Sequence, residues 1–149
     1  MESNDEQSQA KEELDEYCVT LRFFGDDLDP DQVSQLIGSA PTASARRGDI
    51  RQGKVRSYTA KTGSWRFSTA QTTKDIEEQF LALFDQFTAD LSVWRSLTTR
   101  FQADVFCGVF FSRISGGLAF SPRLHRLLAD RNLEVILDIY ASDEPTENA

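Results

Sequence analysis

Between Arg46 and Arg66 the chain carries seven basic residues against one acid, Asp49, although its overall net charge is −8. The cations are Arg46, Arg47, Arg51, Lys54, Arg56, Lys61 and Arg66, with Tyr58 and Trp65 set among them and Phe67 next in line. Guanidinium forks grip phosphate or carboxylate through paired hydrogen bonds, and aromatic rings add stacking, so the window suits an anionic partner. Arg46, Arg47 and Arg51, followed by Lys54 and Arg56, are the candidate contact residues. A plainer reading fits the same residues: on a half-exposed hairpin, Trp65 and Phe67 face the core while the cations coat the solvent side.

Other constellations point less far. His125 is the single histidine, flanked by Arg123 and Arg126, with no acid close in sequence to orient it as a general base. Cys18 and Cys107 each lie in an apolar run, where cysteine packs as a small apolar residue and forms neither a metal pair nor a disulfide framework. Asp27, Asp29 and Asp31 match the first three ligand positions of a calcium loop. Gln32 then stands where a turn glycine is needed and Gly38 where a bidentate acid is needed, so they read as turn and cap residues. The sequence has no phosphate-binding glycine loop, nucleophile elbow or paired-cysteine zinc motif, and it implies no catalytic group, metal ligand or cofactor. Asp138 and Tyr140, two apart, share one strand face opposite Val135, Leu137 and Ile139, which are expected toward the core. With an arginine across the sheet, that acid and phenol are the first suspects for any chemistry.

The elements that must position these residues follow from periodicity. Val19, Leu21 and Phe23 alternate with Thr20, Arg22 and Phe24, which predicts a strand from Tyr17. Asp29 as N-cap and Pro30 at the first helical position start a short helix that Gly38 ends. Residues 39–53 read as loop. Lys54–Ala60 and Ser64–Thr69 read as a hairpin across Lys61-Thr62-Gly63. Thr72 or Thr73 caps one long helix whose stripe runs from Ile76 to Trp94, Ala103–Ser112 is an apolar strand, Pro122 starts a further helix, and Leu133–Tyr140 is the last strand. This order predicts an α+β fold: a mostly antiparallel sheet with helices on one face, a ferredoxin-like βαββαβ core and a C-terminal αβ unit.

The chain has 149 residues, 40% of them hydrophobic, with eleven phenylalanines, which suits one packed domain. That domain is expected over 17–140, between an acidic tail at 1–16 and a second at 141–149. No apolar run is long enough to span a bilayer, and the acidic N-terminus lacks a secretory layout, so a soluble, cytoplasmic protein with no membrane partner is expected.

Taken together, Asp29-Pro30, Leu36-Ile37-Gly38, Pro41, Gly48, Trp65, the helix from Asp75 and Asp138-Ile139-Tyr140 resemble a bacterial family catalogued as a domain of unknown function, number 4279. The resemblance covers about residues 17–140. It implies a bacterial origin and an α+β fold, and brings no established reaction or catalytic residue. The function expected is therefore a non-enzymatic binding or interaction domain, immunity-like or regulatory, recognising an acidic protein or a small anion. A nucleic-acid-binding module is the alternative, less expected because of the net acidity, and an enzyme using Asp138, Tyr140 and an arginine is the third.

Overall fold

A computed structural model describes residues 14–142; the remainder of the two acidic tails, 1–13 and 143–149, lies outside the described residues. In chain order the elements are β1 (Glu16–Gly25), α1 (Pro30–Ile37), β2 (Ala43–Ala45), β3 (Ile50–Gln52), β4 (Ser57–Thr59), β5 (Gly63–Ser68), α2 (Ile76–Phe84), α3 (Leu91–Arg100), β6 (Gln102–Phe110), α4 (Pro122–Asp130) and β7 (Glu134–Tyr140). Five strands form one sheet in the order β2-β5-β1-β6-β7, and β3 pairs with β4 in a separate ribbon. β1 is central and antiparallel to both β5 and β6; only β6 and β7 run parallel, joined through α4.

Alternation along the strands sorts the residues into two faces. Val19, Leu21 and Phe23 pair with Phe67, Trp65, Ala103, Val105 and Cys107, and they pack in one cluster with Val33, Ile37, Phe80, Leu83, Trp94, Leu97, Leu124 and Leu128 from the helices. All four described helices therefore cover one face. The α+β class, the mostly antiparallel sheet and the one-sided helix layer are as expected. The β6–α4–β7 crossover is also as read from sequence. Both neighbours of β1 run against it, so β5 and β6 run parallel to each other with β1 between them, the strand arrangement of a split βαβ unit.

Local caps explain where the helices begin. Asp29 accepts from the Asp31 N–H and Pro30 follows it, while Gly38 closes α1 at φ 85°, a left-handed position that favours glycine. The single long helix expected from Ile76 to Trp94 is two helices. Asp75, rather than Thr72 or Thr73, caps α2, and Asp90 caps α3 by accepting from the Ser92 N–H. Between them the Thr88 N–H donates to the Ile37 carbonyl and its own carbonyl accepts from the Trp94 indole, so tertiary hydrogen bonds hold the break that the apolar stripe conceals.

The hairpin expected across Lys61-Thr62-Gly63 is also different. β5 pairs with β1 and β2, whereas Ser57–Thr59 turns back onto Ile50–Gln52. Trp65 and Phe67 do share the core face, but the expected loop at 39–53 contains β2 and β3. Gly63 explains part of this: a Cβ there would sit 2.7 Å from the Gly25 carbonyl oxygen and 2.8 Å from that of Leu28, so β1 and β5 meet backbone to backbone.

Candidate anion-binding site

The face without helices carries the alternate residues of the same strands. One cross-strand row reads Ala43, Arg66, Arg22, Asp104 and Glu134, from β2 to β7. Charge thus changes sign along a single register, cationic toward β5 and acidic toward β7. At its middle, Arg22 donates from Nε and Nη2 to the two carboxylate oxygens of Asp104 at 2.7 and 2.9 Å. Asp104 is buried, and the Arg22 guanidinium lies 4.5 Å from the ring centre of Phe106 and 5.1 Å from that of Phe24. A charge this far out of water requires such a partner, and the forked geometry supplies it. Arg22 is therefore committed to the domain's own acid.

Arg66, one strand further, has no carboxylate partner among the described residues; its guanidinium lies 5.4 Å from the Phe24 ring centre. It lines a cavity of about 470 Å³ between the open sheet face and the β3–β4 ribbon. Phe24, Ser44, Arg51, Tyr58, Lys61, Thr62 and Ser64 line the same cavity, and no carboxylate does. Arg51 is anchored there by donating to the Ser44 carbonyl, with Asp49 3.8 Å away. Three cationic residues, four serines and threonines counting Thr42, and two aromatic residues thus line one space. An anion entering it meets charge-assisted donors and no acid in the lining itself.

The residues singled out from sequence divide around this cavity. Arg51 lines it. Arg46 instead bridges Asp29 at 2.8 Å and Asp31 at 2.9 Å, and Arg47 lies 3.5 Å from Asp26, so these two arginines turn toward the domain's own acids. Lys54 and Arg56 are exposed around the turn of the ribbon. Asp138 and Tyr140 lie on the open face at the far edge, where the Tyr140 hydroxyl donates to Asp138 at 2.7 Å and its ring stacks on Phe110. That hydrogen bond and the carboxylate charge push the phenol up from its ordinary value, away from use as a base near neutrality. Val135, Leu137 and Ile139 do lie on the helix-side face, opposite Val105, Cys107 and Val109. Leu137 and Ile139 are nevertheless exposed, because β7 is an edge strand that the helix layer does not fully cover.

The structure places the remaining sequence candidates as follows. Cys107 faces the core while Cys18 pairs with Gly108 on the open face, and burial pushes the Cys107 thiol up to about 12. His125 does acquire a nearby acid, Glu77, but that carboxylate accepts from the Ser121 N–H at 2.7 Å at the start of α4 and is held below its ordinary range chiefly by Ser121. Gln79, unmarked in the sequence, is buried; its amide donates to the carbonyls of Tyr17 and Lys74 and to the Thr72 hydroxyl, tying α2 to β1. Among the described residues no group of three His, Cys, Asp or Glu side chains is placed to hold a metal ion, and no helix is long and apolar enough to cross a membrane.

Fold and cavity together describe an α+β domain with a helix-backed sheet and an open, partly cationic face. Residues 15–142 match the model of the family described as domain of unknown function DUF4279, and the chain belongs to that family. No curated protein and no solved structure matches it.

Proposed function

We propose that this is a non-enzymatic binding domain whose cationic cavity receives a phosphate or carboxylate group of an anionic partner. One observation carries the reading: Arg51, Lys61 and Arg66 line a single cavity free of carboxylates in a chain of net charge −8. In an acidic protein, Lys61 and Arg66, which have no ion pair among the described residues, together with Arg51, which is only loosely paired with Asp49, concentrate positive potential at one place, which steers an anion there. Arg46 and Arg47 support the site from behind by tying its loop to Asp26, Asp29 and Asp31. Titrating the full chain with inorganic phosphate while following backbone amides by NMR tests this. Shifts clustered at Ser44, Thr62, Ser64 and Arg66 are expected; shifts scattered over the surface, or none, would refute the reading.

A second reading, a module for single-stranded nucleic acid, is favoured by the aromatic residues Phe24, Phe106, Phe110 and Tyr140 on the open face. Bases stack on such rings beside cations. Against it, Arg22 already lies over Phe24 and Phe106, and Glu134 and Asp138 make the β7 half repel phosphates. Affinity for a single-stranded oligonucleotide that falls steeply with salt would favour this reading; no binding at low salt would remove it.

A further inference from the structure

The two edges of the sheet are unlike. β2 ends one side with three residues, a length too short to template another strand, whereas β7 ends the other with seven, Glu134–Tyr140, and contains no lysine or proline. Among the described residues no strand pairs with its outer edge. Leu137 is 37% exposed, Ile139 51% and Tyr140 54%, so three of the nine exposed large apolar residues among the described residues fall in this one strand.

The backbone fixes which groups face outward. The Tyr140 carbonyl accepts from the Phe111 N–H at 2.8 Å, and the Ser142 N–H donates to the Arg113 carbonyl at 3.2 Å, so both residues point their peptide groups toward the β6 side. Alternation then turns the N–H and C=O of Val135, Leu137 and Ile139 outward, unpaired by any strand among the described residues. These are the residues whose side chains lie exposed or half-buried on the helix-side face.

We propose that β7 is a self-association edge: two copies of this chain join their sheets into one by antiparallel pairing of β7 with β7, centred on Leu137. In that register Leu137 faces Leu137 of the second copy, and Val135 and Ile139 face each other twice. All three pairs are outward-pointing and exchange both hydrogen bonds. On the open face Glu134 then meets Tyr140, and Ile136 meets Asp138, so no acid opposes an acid. The neighbouring hydrogen-bonded registers do not share this property. Sliding one way sets Glu134 against Asp138, and sliding the other sets Asp138 against Asp138; parallel in-register pairing opposes both acids to themselves. Like charges directly opposed destabilise a strand pair, so among these registers charge favours the Leu137-centred one, in which the edge is complementary to a second copy of itself.

Sedimentation equilibrium of the full chain from about 10 µM to about 1 mM tests this, since edge pairing of one strand lies at the weak end of interfaces. A concentration-dependent dimer is expected, and a monomer mass throughout overturns the proposal. Leu137→Lys should give a folded monomer; an unchanged dimer would place association elsewhere and overturn it. Ile136→Lys decides the register without depending on that variant. It sets Lys against Asp138 twice and tightens the dimer several-fold in the Leu137-centred register, whereas weakening would overturn that register.

Discussion

The two faces of the sheet are built from the same strands and differ in every respect that matters for function. On the helix side Val19, Leu21 and Phe23 are fully buried. Between them, Thr20, Arg22 and Phe24 turn to a face with no helix over it, where a buried acid, a forked ion pair and an unpaired arginine lie on one row. The covered face holds the fold together through apolar burial. The open face carries instead the charged row and the cavity at which anion recognition is proposed.

The largest way to break this contrast is on the covered side. Phe23→Ala removes a ring packed edge-on to Trp65 at 5.8 Å and should cost about 3–5 kcal/mol in chemical denaturation. Next is Asp104→Ala, which strands the Arg22 guanidinium beside two phenylalanine rings. Because Arg22 still reaches solvent, about 2–3 kcal/mol is expected, below the loss for a fully buried pair, and the double variant Arg22→Met with Asp104→Leu should recover most of it. A smaller effect is pH-dependent. Glu77 has a lowered pKa in the fold, so the stability it contributes is present above the ordinary carboxylate range and is lost as pH falls through its folded value. Glu77→Gln should therefore lower the melting temperature modestly near neutrality and converge with the native chain at acid pH, flattening the acid limb of the profile. The smallest effect on stability belongs to the cavity: Lys61→Ala should change unfolding by no more than about 0.5 kcal/mol, as expected for an exposed surface charge.

Much of the covered side was legible in the sequence, because period-two and helical stripes report burial directly. The caps at Asp29 and Ser121 and the crossover from β6 to β7 follow from that grammar. The break at Thr88 was not legible, since Phe84, Phe87 and Trp94 continue the stripe across it and the bond from Thr88 to Ile37 is tertiary. On the open face, composition marked the basic window but not which cations stay unpaired. Arg46 and Arg47 are met by acids some twenty residues back in the chain, while Lys61 and Arg66 are left facing the cavity by the pairing of β5 with β1 and β2. Asp104 carried the one overlooked signal, an acid at the start of an apolar strand directly opposite Arg22.

The central claim, that the open face recognises an anion through its unpaired cations, is tested most directly by calorimetric titration of inorganic pyrophosphate into the native chain and into the double variant Lys61→Glu, Arg66→Glu. Saturable binding by the native chain, abolished in a double variant that melts at nearly the native temperature, is the expected result. Equal heats from both proteins would contradict the account.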